Sequence, residues 1–196
     1  QDFENLSGGS ADDTFVFGTL GTLTGGLDGG DAATSNLLTL STDDDVVTLD
    51  ALSATTGFDG TVVEASTTIT SFINVNSISG DGGADSLTGL NATSAWTLND
   101  GTPDTYVTAG RTLTVDLFGS YDGGSAADTY TINGTQSVAL DGGLGDDMFS
   151  LANGASHTSM IRGGGGTDTI AFAGTTAEVI TLSSNSFRGM STSVTS

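Results

Sequence analysis

Cysteine is absent from this 196-residue chain, lysine is absent too, and proline occurs once, at Pro103. Without cysteine there is neither a disulfide framework nor a thiolate metal site. Without lysine, no isopeptide cross-link can form within the segment. The only basic residues are Arg111, Arg162 and Arg188. Nucleic-acid binding needs clustered Lys or Arg to displace counterions from phosphates, so that function is set aside. An anionic membrane would repel the chain. No apolar run approaches the ~20 residues of a membrane-spanning helix, and membrane insertion is not expected. The N-terminus, Gln1-Asp2-Phe3-Glu4, has no initiator Met and no basic-then-apolar leader. The expectation is a piece of a longer, exported chain.

What is present is acid and glycine. Asp and Glu number 24 and the formal charge is −21. That much like charge in a compact fold is self-repulsive, and a divalent cation would relieve it. The 30 glycines punctuate short runs of Val, Ile, Leu and Phe, a composition suited to many short strands and tight turns. No helix-sized window carries a 3.6-residue apolar period.

One pattern repeats: Gly-Gly, three residues, Asp, one residue, then a large apolar residue. It occurs at Gly8–Phe15, Gly123–Tyr130, Gly142–Phe149 and Gly163–Ile170, with a variant, GDGGADSL, at Gly80–Leu87. The last three copies start at 123, 142 and 163, spacings of 19 and 21. A solenoid coil of that length holds two or three short strands. Laid in register, Tyr130, Phe149 and Ile170 form one inward column, and Ile132, Leu151 and Phe172 a second. Val138 with Leu140, Met160 with Ile161 and Val179 with Leu182 close the coils, while Thr131, Ser150 and Ala171 face outward. Phe15 and Phe17 occupy the same columns near the N-terminus. The match weakens after Gly30, where Thr34 stands at the acidic position.

The reading is therefore all-β: a right-handed parallel β-helix or β-roll solenoid with coils of about 19–21 residues. One module spans 1–196, with regular coils at 1–40 and 120–182 and an irregular middle at 41–119. In that middle, 46–49 and 67–73 read as strands. Asp59-Gly60, Asp100-Gly101 and Ala109-Gly110 read as turns. Longer coils or a small β-excursion are expected there.

The spacing also suggests chemistry. Calcium takes six to eight oxygen ligands, carboxylates and carbonyls alike. A Gly-Gly turn can swing its carbonyls to one side, and the Asp that follows adds a carboxylate as the strand begins. Strands stacked about 4.8 Å apart would let neighbouring corners share an ion. The candidate ligands are Asp128, Asp147 and Asp168, with Gly142 and Gly163 as carbonyl donors, Asp141 beside them, and Asp13 and Asp85 in similar turns. The competing reading is Asp as a turn-capping residue. Asp43-Asp44-Asp45 reads as a charged loop.

GGLGDDMFS (142–150) and GGGGTDTIA (163–171) resemble the nonapeptide of the haemolysin-type, or RTX, calcium-binding repeats. GGSAADTYT and GGSADDTFV lack its third glycine. The resemblance implies a parallel β-roll with calcium in its turns, here in one row. FENLSGGSADDTFVF (3–17) and SISGDGGADSLTGLNATSAWTL (77–98) resemble the β-strand repeats of giant bacterial surface adhesins. That likeness implies a secreted or cell-surface tandem module with structural or adhesive duty, in which terminal coils dock head to tail on further copies as a filament. Extracellular polysaccharide is a further possible partner.

Catalysis is not expected. The single histidine, His157, lies in an apparent loop with no activated serine beside it. A β-helix enzyme acting on acidic polysaccharide would need more cationic groups than three Arg. A carbohydrate-binding adhesive module remains the alternative among binding proteins. Trp96 reads as core.

Overall fold

The computed structural model describes residues 4–18, 23–31, 35–64, 68–174 and 190–192; residues 64, 68–70 and 190–192 are described by backbone only. Thr34, Val179, Leu182 and Arg188 lie outside the described residues. Those described form strands and turns without a helix. In chain order the first strands are β1 (Leu6–Ser7), β2 (Thr14–Val16), β3 (Gly26–Asp28), β4 (Leu37–Thr39), β5 (Asp45–Leu52), β6 (Phe58–Glu64) and β7 (Thr68–Val75). Next come β8 (Ser77–Ser79), β9 (Ser86–Thr88), β10 (Ala95–Leu98), β11 (Asp104–Thr108), β12 (Arg111–Asp116), β13 (Ser120–Asp122) and β14 (Thr129–Ile132). The last are β15 (Thr135–Gln136), β16 (Ala139–Asp141), β17 (Met148–Leu151), β18 (Ser156–His157), β19 (Ile161–Arg162), β20 (Asp168–Phe172) and β21 (Met190–Thr192). The fold is thus all-β, as composition indicated, with mixed sheets dominated by parallel pairs. The chain divides into two compact units, one of Gln1–Thr88 with Gly110–Gly119, the other of Gly89–Ala109 with Ser120–Ser196.

In the first unit two runs of strands lie in the orders β1-β3-β7-β6-β5-β9 and β2-β4-β8-β12. Parallel register sets Leu6 beside Leu27 and Leu27 beside Phe72. It also lines up Phe15, Leu38, Ile78 and Val115. Leu27, Phe72, Leu38, Ile78 and Val115 are buried, so the period-two alternation of these strands packs one face inward. The offset between paired strands widens from 23 residues (Thr14 to Leu37) to 40 (Leu37 to Ser77). The added length is the β-excursion: β5, β6 and β7 pair antiparallel in sequence.

Asp59-Gly60 belongs to β6 and is not a turn. A side chain at residue 60 would strike the Thr48 carbonyl and the Phe72 ring, and the β6–β7 register shifts on both sides of it. This glycine marks close approach within a sheet rather than a chain reversal. Ala109 and Gly110 do form a turn, with φ of 48° and 77°, and Asp100-Gly101 is one as well.

In the second unit the orders are β13-β16-β19, β11-β10-β14-β17-β20-β21 and β15-β18. Tyr130, Phe149 and Ile170 stand in register, as do Ile132, Leu151 and Phe172. The offsets of 19 and 21 residues match the motif spacing. Trp96 begins the first of these columns. Its ring lies 4.5 Å from Tyr106, 5.0 Å from Tyr121 and 5.8 Å from Tyr130, and Tyr130 stacks on Phe149 at 4.6 Å. Leu140 pairs with Ile161 on the other sheet. Met160 departs from the expected inward placement: it is 40 % exposed, and Ile161 alone fills the core position. Adjacent strand residues face opposite sides, so the two cannot both point inward.

Candidate metal centre: a buried aspartate ladder

Each Gly-Gly corner delivers its Asp to the first residue of a strand or the residue just before it, with the side chain turned inward. Asp85, Asp128, Asp147 and Asp168 are all 1 % exposed or less. The backbone explains how such charges are tolerated. Asp128 N–H donates to Asp147 Oδ1 at 2.8 Å, and Asp147 N–H donates to Asp168 Oδ1 at 3.0 Å. Ser94 starts the same column, donating to Asp128 Oδ1 from its backbone at 2.8 Å and its hydroxyl at 2.6 Å. Every rung therefore binds the amide of the rung before it. Such charge-assisted bonds contribute about 1.5–3 kcal/mol each when buried.

Where a second Asp precedes the rung, it works in the opposite direction. Asp146 Oδ1 accepts the Thr167 N–H at 2.7 Å, and Asp12 Oδ1 the Ser35 N–H at 2.9 Å. An Asp-Asp doublet thus clasps the strand on either side, one carboxylate reaching each way.

The first unit uses the same rungs with different chemistry. Asp13 N–H donates to Asn36 Oδ1 at 3.2 Å, and Asn36 N–H to Asn76 Oδ1. The rung after Gly30 is therefore Asn36, two residues beyond Thr34, because this turn is two residues longer. Asp13 Oδ2 accepts the Gly9 N–H at 2.7 Å. Asp85 has both oxygens engaged, by the Asp45 and Asp81 amides, each at 2.9 Å. Asp45 is itself fully buried, so Asp43-Asp44-Asp45 is not uniformly a charged loop: its third residue begins β5 facing inward.

Asp141 stands apart from the ladder, on the other sheet. It is in register with Asp122 on one side and Arg162 on the other. Arg162 meets its Oδ2 at 3.1 Å, and Gly143 N–H its Oδ1 at 3.1 Å. In this column a guanidinium supplies the positive charge. Burial, and then the neighbouring Asp141, hold the Asp122 carboxyl above its ordinary value.

Asp128 Oδ2 and Asp147 Oδ2 are buried and have no hydrogen-bond partner among the described residues. Each packs against the α-carbon of the glycine that opens its own motif, Gly123 or Gly142. The carbonyl of the next corner, Gly142 or Gly163, faces the same spot. A side chain there would collide with both oxygens, which is why these positions are glycine. Burial, against the opposing Ser94 hydrogen bonds, raises the Asp128 pKa to about 6. Burial, reinforced by Asp128 and Asp168, raises that of Asp147 to about 7. Burial also raises Asp85.

In donor chemistry these corners suit a hard cation: an orphaned carboxylate oxygen beside a backbone carbonyl. No three His, Cys, Asp or Glu side chains converge on one point among the described residues, so carbonyls would have to complete any coordination. His157 lies in β18 and not in a loop. Burial lowers its pKa, which leaves the imidazole neutral at pH 7.

Comparisons with family models, curated proteins and solved structures give no match.

The ladder's aspartates were readable from the motif. Ser94, Asn36 and Asn76 were not, since none follows Gly-Gly at the motif spacing. Their common signal is a short polar residue directly before, or one residue before, an apolar strand start.

Proposed function

We propose that this chain is a structural repeat module of a secreted bacterial surface adhesin or self-assembling extracellular filament. Its parallel strands wind in right-handed β-solenoid coils, and calcium stiffens them at the corners of Asp128 and Asp147. The observation that carries the reading is the pair of buried, partnerless carboxylate oxygens, each facing a glycine carbonyl of the next corner. A buried carboxylate oxygen without a partner is costly, and the chain already carries −21. Asp128 and Asp147 would hold the ion, with Gly142 and Gly163 supplying carbonyls. Asp168 extends the column to the next strand. The ion supplies positive charge and cross-links successive corners.

The partner in assembly is a further copy of the module. Among the described residues of the first unit, β1 and β2 pair on one side only, and Val16 is 70 % exposed. Open strand edges favour heterologous, head-to-tail contacts, which propagate as filaments. Calcium titration by calorimetry, with sedimentation and electron microscopy of the same samples, tests both halves. Saturable binding and calcium-promoted oligomers are expected; no heat of binding and strictly monomeric particles would refute the proposal.

A further inference from the structure

The first unit holds a cleft of about 360 Å³ that shares only Asn76 with the ladder. Thr55, Thr56 and Gly57, from the turn between β5 and β6, form one wall. Asn76, between β7 and β8, and Arg111, Thr112 and Thr114 of β12 form the rest. The volume falls within the ~300–1,000 Å³ typical of small-ligand sites. Register holds it together: Thr114 pairs with Ser77, and Thr114 N–H donates to the Asn76 carbonyl at 3.0 Å.

Arg111 is the unusual member. In a chain with 24 acidic residues, it makes no ion pair with any described carboxylate, whereas Arg162 is paired with Asp141. Its guanidinium spends one N–H on the Gly57 carbonyl at 2.9 Å. That single bond orients the planar group, and its remaining donors carry no described hydrogen bond. A guanidinium presents five donors in a fork that matches a carboxylate in two-point contact. Around it stand hydroxyls and one carboxamide. Asn76 spends its Oδ1 on the Asn36 amide, and its NH₂ has no described partner. Among the described residues, no aromatic or aliphatic side chain larger than threonine lines the cleft. An apolar peptide side chain would find nothing to pack on. A polyhydroxylated ligand with one carboxylate would match Arg111, the Asn76 amide and the hydroxyls of Thr112 and Thr114.

We infer that this cleft binds a carboxylated sugar: the carboxylate against Arg111 and the ring hydroxyls against Asn76, Thr112 and Thr114. The chain's negative charge opposes acidic ligands at long range, but the Debye length of about 8 Å in physiological salt confines that repulsion to near neighbours. The nearby Asp59 is engaged by the Asn74 amide and the Ser53 hydroxyl. The inference does not rest on calcium, since neither Asp128 nor Asp147 takes part.

The test is titration of the intact chain, by protein-observed NMR or calorimetry, with a uronic-acid disaccharide, the matching neutral disaccharide and inorganic sulfate. Saturable binding of the uronide is expected, with neutral sugar and sulfate at least about tenfold weaker, one decade of affinity being a modest demand on a charge-assisted two-point contact. Arg111→Gln should reduce uronide affinity by a similar factor while leaving the circular dichroism spectrum unchanged. Should Arg111→Gln not fold, Thr112→Glu places a like charge at the exposed rim and should give the same loss. No binding, equal binding of neutral sugar, sulfate as strong as uronide, or uronide affinity unchanged in the folded variant would each overturn the inference. Calcium titration of Arg111→Gln or Thr112→Glu should match wild type, which separates failure here from failure of the ladder.

Discussion

Replacing Asp147 with Asn should stabilise the calcium-free protein at neutral and alkaline pH. Asn keeps the Oδ1 that accepts the Asp128 amide and puts an NH₂ where the partnerless Oδ2 now faces the Gly163 carbonyl. The chain already contains this solution: Asn36 fills the equivalent rung, and its Nδ2 donates to the Asn74 carbonyl at 3.0 Å. The sign follows from linkage. The Asp147 pKa rises from 3.8 unfolded to about 7 folded. Its contribution is therefore fully present below about pH 4 and is lost as pH rises through 7. At about 1.4 kcal/mol per pH unit, the loss is on the order of a few kcal/mol near pH 8. For a chain of this size 1 kcal/mol moves the midpoint by about 2–4 °C. Asp147→Asn should thus melt roughly 5–10 °C above wild type near pH 8 in EDTA, and nearly with it only near pH 4. Thermal melts by circular dichroism or calorimetry read both values. A variant that melts below wild type near pH 8, or that shifts equally at both pH values, would refute the reasoning.

Other outcomes follow from the same geometry. Wild type in EDTA should lose stability between about pH 4 and pH 7, as Asp128 and Asp147 ionise in turn; a denaturation midpoint that rises over this range would contradict it. Gly142→Ala, whose Cβ would meet the Asp147 carboxylate and the Gly163 carbonyl, should cost at least about 2 kcal/mol in urea denaturation. Gly154→Ala, at φ 78° but in open space, should cost about 1 kcal/mol. Arg162→Gln, which removes a partly exposed ion pair, should cost no more than about 1 kcal/mol, and less in high salt.

Legibility differed by element. The parallel columns of the second unit could be read directly, because Gly-Gly-x-x-x-Asp fixes both the turn and the next strand's phase. Tyr130, Phe149 and Ile170 then fall into register without further information. In the excursion, β5 and β7 could be read as strands, but β6 and the antiparallel pairings it makes could not. Its Gly60 carries the same local signal as a turn, and only the neighbouring Thr48 carbonyl and Phe72 ring explain it. At the site, the acidic rungs were plain and their bonding was not. The sequence shows where carboxylates recur, while tertiary register decides that each binds an amide in the strand before it. The same limit hid Arg162, whose place beside Asp141 depends on a pairing 21 residues distant. It also made Asp45 look like its neighbours, the half-buried Asp43 and the exposed Asp44, when the strand's alternation turns Asp45 fully inward.

The central claim is that the orphaned oxygens of Asp128 and Asp147 are cation ligands. Calcium affinity measured by calorimetry near pH 8 on wild type, Asp147→Ala and Asp44→Ala tests it most directly. Saturable binding that Asp147→Ala weakens by about tenfold or more, and that Asp44→Ala leaves nearly unchanged, is the predicted result. Equal affinities in all three proteins, or no binding to wild type, would contradict it and leave the ladder a purely hydrogen-bonded device.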